Sequence, residues 1–192
     1  MIKKYFIIII LIFSLQSLTK ADDIRDFEIE GISIGDSLLD YYSKDFIESQ
    51  KKNYYPKSKK YFRISFRGTN LNNYEGLQFQ LRAGDEKYII HSLGGLILYE
   101  NNIDECYSFK NNIVLPEIKS IFLNVKEYEF NESHEYDPTG KSITDIVFFS
   151  LDNGFITVSC TDWSEESGLI DKLSVKVYTK EFSFFIDNEA YK

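Results

Sequence analysis

The residues Gly35, Asp36, Ser37 and Leu38 form a short block that is able to support nucleophilic catalysis. A serine in such a block, just after a strand, can present its hydroxyl for attack on an ester. That attack needs a base within hydrogen-bond reach of the serine, and donors aimed at the developing oxyanion. The block therefore predicts catalysis only if those partners exist elsewhere in the chain.

This block resembles the nucleophile motif of the GDSL hydrolases, a family that takes its base from an Asp-x-x-His near the C-terminus. The two histidines of this chain, His91 and His134, lie three residues after Tyr88 and Asn131, so neither completes that motif. No Gly-x-Asn-Asp block occurs, and the parallel sheet of that family differs from the antiparallel pattern predicted here. A GDSL-like serine ester hydrolase using Ser37 is therefore an alternative, and no catalytic residue is predicted.

The same stretch also predicts the start of a helix. Apolar residues recur at helical spacing over residues 34–46, and Ser37 and Asp40 have the spacing of a capping box. Under this interpretation Ser37 launches a helix and its hydroxyl has no proton acceptor. We favour the helix, and we therefore expect the protein not to be an enzyme.

A run of acidic side chains with one histidine could hold a hard cation. The run comprises Glu127, Glu129, Glu132, His134, Glu135 and Asp137. Glu127 and Glu129 would project from the same face of a strand, but such runs are more often solvated faces or protected sheet edges. A divalent-cation-binding module is therefore a second alternative, and neither a metal ligand nor a cofactor is predicted.

Two cysteines, Cys106 and Cys160, form an even pair that suits a disulfide in an oxidising compartment. The bridge would close a loop of more than fifty residues and stabilise the fold. The alternative is a pair of buried free thiols. Trp163, just after the strand of Cys160, is expected to pack near the proposed bridge.

The first 21 residues predict a signal peptide. Lys3 and Lys4 precede an apolar run over residues 5–15, and Thr19 and Ala21 place small residues where a signal peptidase cleaves. The run is too short to span about 30 Å of hydrocarbon. We therefore expect cleavage, no membrane span in the mature protein, and a periplasmic or secreted location.

The charge balance argues against two classes of partner. The full chain has 22 basic and 30 acidic residues. Cleavage of the predicted signal removes three lysines and leaves a net charge of about −11. Because phosphate contacts need clustered Lys and Arg, we expect no binding to nucleic acid or to anionic membranes. The expected partner is a protein or a small molecule, and the acidic balance also suits a cationic partner.

The pattern of apolar residues predicts an α+β fold of two helix-plus-antiparallel-meander units, a layout that suggests a pseudo-repeat. The units would span residues 22–100 and 101–192, or combine into one compact domain. A second helix is expected to start at Asn102 and to be broken at Pro116, after which residues 117–122 could form another helical turn. Asp152, Asn153 and Gly154 suit a turn with positive φ. Strands are predicted at 61–67, 77–82, 88–99 with an interruption at the two glycines, 125–135, 143–151, 155–161 and 173–179, before a short closing helix.

Three stretches resemble an uncharacterised family of small secreted proteins from AT-rich marine alphaproteobacteria. These stretches are residues 23–42, 85–107 and 158–163. The family brings no assigned activity, so the resemblance implies a bacterial exported protein and transfers no catalytic residue. We therefore expect an exported, non-enzymatic protein that works through binding or as part of the cell envelope.

Overall fold

The computed structural model describes residues 23–68, 71–100 and 102–192 of the chain. The predicted signal peptide, residues 1–21, lies outside the described residues. The fold is built on eight strands: β1 (Asn53–Tyr54), β2 (Tyr61–Arg67), β3 (Gly76–Arg82), β4 (Ile90–Tyr99), β5 (Lys126–Ser133), β6 (Ile143–Ser150), β7 (Gly154–Asp162) and β8 (Asp171–Thr179).

All eight strands belong to one antiparallel sheet with the order β1-β2-β3-β4-β8-β7-β6-β5. Two meanders, β1–β4 and β5–β8, meet where β4 pairs with β8, so the sheet is continuous. The predicted α+β class with antiparallel meanders is confirmed. The division into units 22–100 and 101–192 and the pseudo-repeat stay predictions.

Short helices connect and cover the strands. They are α1 (Lys44–Ser49), α2 (Ile103–Phe109), α3 (Leu115–Ile121) and α4 (Lys180–Phe185). A π-helical turn at Lys110–Val114 joins α2 to α3, and a second at Ile186–Ala190 extends α4. None of the helices in the described residues is long and apolar enough to cross a membrane.

The predicted helix over residues 34–46 is wrong. Only a 3-10 turn at Leu38–Asp40 follows Ser37, and α1 begins after an extended Ser43 that caps it. The backbone of residues 35–38 is instead hydrogen-bonded to residues 88–90, through bonds such as Leu38 N–H to the Tyr88 carbonyl at 3.0 Å. This tertiary pairing occupies the groups that a helix would use, so it overrides the helical spacing.

Two predicted breaks are also wrong. The strand β4 runs through Gly94 and Gly95 without interruption. It begins at Ile90, later than predicted, because Tyr88 and Ile89 pair instead with the segment around Ser37. Pro116 lies in the first turn of α3 and does not end the helical segment. The π-helical turn before it has a different hydrogen-bond pattern from an α-helix. The proline, which has no N–H to donate, therefore lies where the backbone hydrogen bonding already changes from one pattern to the other.

The turn between β6 and β7 also differs from the prediction, since none of Asp152, Asn153 and Gly154 has a positive φ. Glycine is required at position 154 for space. A Cβ there would lie 2.4 Å from the Tyr178 carbonyl oxygen and 2.5 Å from the Ile24 side chain.

One face of the sheet, called here the covered face, carries the main core. The α2 helix packs on β4, β7 and β8, and alternate strand residues such as Val158, Val175 and Val177 are fully buried beneath the helices and the N-terminal segment. Cys106 of α2 and Cys160 of β7 form a disulfide with Cα atoms 6.0 Å apart, so the predicted bridge is confirmed.

The opposite face, called here the open face, is covered only at one end. There α4 and its π-helical extension pack Phe182, Phe185 and Ala190 against Tyr61 of β2 in a second, smaller core. The rest of this face is formed by strand residues that alternate with those of the main core.

Candidate functional site

Ser37 is held in a structural hydrogen-bond pair. Its hydroxyl donates to the Lys87 carbonyl oxygen at 2.6 Å and accepts the Leu39 N–H at 3.2 Å. Within the described residues no histidine is hydrogen-bonded to it. Because the proton of Ser37 already points to a carbonyl, this geometry provides no general base for a nucleophile.

The two histidines lie in other environments. His91 rests against the Tyr61 ring, with its Nδ1 4.0 Å from Glu181 Oε2, and burial lowers its pKa. The His134 ring lies 4.2 Å from the ring of Trp163, and burial lowers its pKa as well. The structure thus places Trp163 against His134, where both rings have a packing role.

The acidic run is divided by the fold. Glu127 forms an ion pair with Lys119 of α3 at 2.8 Å, whereas Glu132 lies on the open face. Asp137 is buried and accepts hydrogen bonds from three hydroxyls, including Ser142 Oγ at 2.6 Å, which hold its pKa well below the usual range. No group of three His, Cys, Asp or Glu side chains in the described residues could hold a metal ion.

The open face gathers positive charge instead. Its basic residues are Arg63 and Arg67 of β2, Arg82 of β3, Lys172 and Lys176 of β8, and Lys126 of β5, each at an alternate strand position. Of these, Arg82 forms an ion pair with Glu181 of α4. The register places a single carboxylate on the strand positions of this face, that of Glu132 on the edge strand β5. The chain as a whole has 30 acidic residues against 22 basic ones, so its composition does not explain why this face is positive. The fold places basic residues on this face and most acidic residues elsewhere.

A cavity of about 450 Å³, called here the cationic cavity, lies in the middle of the open face. Three cations lie on its rim: Arg67, Lys172 and Lys176. Its wall contains no carboxylate, and none of the three forms an ion pair with the described residues, whereas Lys119 and Lys141 do. The cavity is therefore lined by uncompensated positive charge.

Both lysines of the cavity lie where burial disfavours the charged form of the side chain. Burial lowers the pKa of Lys176, and the neighbouring cations Arg63 and Lys172 lower it further. Burial also lowers the pKa of Lys172, whose ammonium lies 5.2 Å from the centre of the Trp163 ring. A negative charge placed between these groups would replace the lost hydration and relieve their repulsion.

The floor of the cavity exists because two neighbouring strands carry glycine. Gly76 of β3 and Gly94 of β4 have no side chain to fill the space between Gln78, Leu96 and Lys176. A Cβ on Gly94 would come no closer than 3.6 Å to any heavy atom outside its own chain neighbours. Packing therefore does not require glycine at position 94. Because Gly94 has no side chain, the space above it is open to a ligand.

A second cavity of about 370 Å³ adjoins the first and shares Gln78 and Lys176 with it. It lies between α4 and the sheet, and its wall includes Arg63 and Asp187. Gln80 donates its amide to Gln78 Oε1 at 2.9 Å, while its own Oε1 is buried with no hydrogen-bond partner in the described residues. The two glutamines thus form a polar link between the cavities.

Aromatic rings continue across the open face from the second cavity. Tyr178, Phe155, Phe148 and Tyr128, called here the aromatic stripe, have successive ring centroids 5.5, 5.2 and 6.1 Å apart. The stripe crosses β8, β7, β6 and β5, and ends at Tyr128, whose side chain is 53% exposed. Exposed aromatic area of this kind beside a polar cavity is typical of a binding surface.

Sequence reasoning missed all of these residues as a site. The alternation of Arg63, Ser65 and Arg67 with apolar residues indicates a solvent-facing strand, and Lys172 and Lys176 show the same pattern. Two acid-free, basic strand faces in an acidic chain were the available signal. Their approach depends on the pairing of β4 with β8, which no local pattern predicts.

The likeness to exported alphaproteobacterial proteins stays a prediction. No family model, curated protein or solved structure matches this chain.

Proposed function

We propose that the protein is an exported, non-enzymatic binding protein, and that its cationic cavity binds an anionic ligand. One observation carries the proposal. Arg67, Lys172 and Lys176 surround a glycine-floored cavity of about 450 Å³ without any carboxylate partner in the described residues. Pockets with a few convergent polar groups are the usual places for small ligands.

The energetic argument concerns the charged lysines. A desolvated ammonium without a counter-charge destabilises the folded protein, and an anion in the cavity removes that penalty. The same anion would accept charge-assisted hydrogen bonds from Lys176 and from the guanidinium of Arg67, which are stronger than neutral ones. Both effects favour the complex over the free protein, so they contribute to the affinity for an anion.

Export is supported by two features. The disulfide between Cys106 and Cys160 suits an oxidising compartment, and the predicted signal peptide directs the chain to one. The proposed location is periplasmic or secreted. Mass spectrometry of the mature protein from its natural source should find an N-terminus at Asp22, and an intact Met1 would contradict export.

The test of anion binding is a citrate titration by isothermal calorimetry at low salt. Citrate should bind the unaltered protein, and Lys176→Gln should weaken binding by about tenfold, since one charge-assisted contact to the ligand is lost. Lys87→Gln removes the same charge from an exposed turn outside both cavities and should leave binding unchanged. Equal affinities for the two variants would overturn the assignment of the cavity.

The absence of catalysis has a separate test. A fluorophosphonate probe that reacts with activated serines should leave Ser37 unlabelled, because its hydroxyl donates to the Lys87 carbonyl. Covalent labelling at Ser37 would favour the hydrolase alternative. Calcium titration of the melting temperature tests the cation-binding alternative, which predicts a rise with calcium concentration.

A further inference from the structure

We infer that the ligand of the open face is an acidic oligosaccharide, a hydroxyl-rich chain with acid groups on more than one unit. The inference rests on the proposed function, since it names the class of anion that the cationic cavity takes. Three properties of the face carry it: the separation of its cations, the neutral polar groups between them, and the aromatic stripe beside them.

The backbone positions of the cations are widely spaced around the cavity. Lys172 and Lys176 are four residues apart on β8, a separation of about 13 Å between Cα atoms in an extended strand. Arg67 lies on β2, three strand spacings from β8, or about 14 Å across the sheet. A ligand with acid groups on more than one unit could therefore pair each of these cations with its own negative charge.

Between the cations the face presents uncharged hydrogen-bonding groups. Ser65, Gln78 and Ser174 line the cationic cavity, and Gln80 and Thr157 line the second cavity. The buried Oε1 of Gln80 has no donor in the described residues, so it can accept a hydrogen bond from a ligand. Hydroxyls and amides both donate and accept, which suits the many hydroxyls of a sugar chain.

The aromatic stripe supplies flat apolar area next to this polar surface. Lys176 is followed two residues later by Tyr178, the first ring of the stripe, and on the other side Thr157 separates it from Phe148. Aromatic rings offer broad apolar contact with few degrees of freedom to lose. The C–H face of a sugar ring can lie on such a surface while its acid group reaches Lys176.

Other anionic ligands fit this face less well. A fatty acid needs an enclosed apolar cavity, whereas the cationic cavity is an open depression. Its wall mixes the polar Ser65, Gln78 and Ser174 with the apolar Phe66, Leu77 and Leu96. A single-stranded DNA would also find charge and stacking rings, but its chain has almost no hydroxyls for the neutral polar groups that line the two cavities. The oligonucleotide is therefore an outcome of the test and not the proposal.

The experiment compares ligands of matched length by calorimetry on the mature protein with its disulfide intact. The acidic probes are tetragalacturonate, a hyaluronan tetrasaccharide and a chondroitin sulfate tetrasaccharide. The comparison probes are citrate, neutral maltotetraose and an eight-nucleotide oligothymidylate. At least one acidic tetrasaccharide should bind about tenfold more tightly than citrate, since contact with a second cation adds about 1.4 kcal/mol. Maltotetraose should not bind.

Two tyrosines test the contribution of the stripe. Tyr128→Ala truncates the exposed end of the stripe and should weaken tetrasaccharide binding by about fivefold, with citrate binding unchanged. Tyr136→Ala removes the same side chain from a turn outside the stripe, where it is 75% exposed, and should change neither. Both substitutions are at exposed positions, so loss of folding does not obscure the result.

The outcomes separate this inference from the proposed function. Binding of citrate without tighter binding of any acidic tetrasaccharide would overturn the inference and leave the anion site in place. Tighter binding of the oligothymidylate than of every tetrasaccharide would also overturn it. If neither citrate nor any oligosaccharide binds, the proposed function fails together with the inference. Equal effects of Tyr128→Ala and Tyr136→Ala would contradict the role of the stripe.

Discussion

The two faces of the sheet treat charge in opposite ways. On the covered face Lys110 is 3% exposed and forms an ion pair with Asp145, and Lys119 pairs with Glu127. On the open face the lysines of β8 have no carboxylate partner in the described residues. On the covered face these two lysines are compensated within the protein, and on the open face Arg82 pairs with Glu181 of α4. The cations of the cationic cavity have no such partner in the described residues, and we propose that a ligand supplies it.

The nine residues of strand β8 alternate between the two faces, with the aliphatic side chains on the covered face and the lysines on the open face. Leu173, Val175 and Val177 are fully buried in the core, and each contributes about 1.5–3 kcal/mol to folding. Lys172 and Lys176 alternate with them and contribute little, because burial acts against their charge. A strand can therefore serve stability with one set of side chains and binding with the other, since the two sets never share a face.

The largest expected effect comes from removing the disulfide that fastens α2 to the covered face. Cys106→Ala combined with Cys160→Ala releases a loop closed across 54 residues and should cost about 4 kcal/mol of unfolding free energy. The melting temperature should fall by about 10 °C in a protein of this size. Thermal unfolding followed by circular dichroism measures the change.

Citrate affinity of the same double variant, measured well below its melting temperature, tests whether the faces are independent. The cationic cavity lies on the other side of the sheet from the bridge, so the affinity should not change. A loss of affinity comparable to that of Lys176→Gln would show that the covered face also shapes the binding site.

Neighbouring glycines allow a sharper comparison of the two faces. Gly95 faces the core, where an added Cβ would lie 2.4 Å from the Tyr74 ring, so Gly95→Ala should destabilise the protein by about 1–3 kcal/mol. Gly94 faces the cavity with room for a Cβ, so Gly94→Ala should leave stability unchanged or raise it by about 0.4–1 kcal/mol. Urea denaturation measures both variants.

The binding data should show the reverse order. Gly94→Ala narrows the floor of the cationic cavity and should weaken citrate binding more than Gly95→Ala does, once both proteins are folded. A stable Gly95→Ala variant with lost anion affinity would mean that the assignment of the two glycines to opposite faces is incorrect.

The sequence predicted most of the strands because alternation is a local signal. Residues 61–67 and the three C-terminal strands follow the pattern of one apolar and one polar face, and the structure forms strands there. Asn102 was likewise predicted as a helix cap and accepts the Glu105 N–H at 3.3 Å. Each of these features depends on a few consecutive residues.

The errors occurred where distant residues decide the local structure. The 34–46 stretch has helical spacing, but its backbone pairs with residues 88–90. Pro116 is accommodated because a π-helical turn precedes it. The proposed binding face was missed for the same reason, since Arg67 and Lys172 share a cavity only because β4 pairs with β8. A pattern of neighbouring residues does not show which distant segments will pair.

A smaller effect on the unfolding free energy is expected when a paired lysine and an unpaired lysine are each replaced by methionine. Lys110→Met leaves Asp145 without its partner on the covered face and should cost about 1–2 kcal/mol, less than a fully buried pair because the Asp145 side chain is 34% exposed. Lys176→Met removes a desolvated cation that has no partner, so stability should stay the same or rise slightly. Urea denaturation near pH 7 compares them, and a clear loss for Lys176→Met would contradict the uncompensated charge.

The smallest effect is a dependence of stability on pH. Burial, with Arg63 and Lys172 nearby, lowers the pKa of Lys176 below its ordinary value of 10.5. Between these two pKa values the unfolded chain binds more protons than the folded one, so stability rises with pH in that window. Below the window the full cost of the charged lysine is present. Tyr178, two residues along β8, stays neutral there because burial raises its pKa to about 12.

The difference between the unaltered protein and Lys176→Met isolates this titration from all other groups. Any advantage in unfolding free energy that the methionine variant has near pH 7 should shrink as the pH rises toward 10, because the lysine of the unaltered protein then becomes neutral. Saturating citrate should move the change to higher pH, since a bound anion favours the charged lysine. Urea denaturation at several pH values measures it, and two parallel stability curves would mean that Lys176 is hydrated like a surface lysine and that the open face needs no anion.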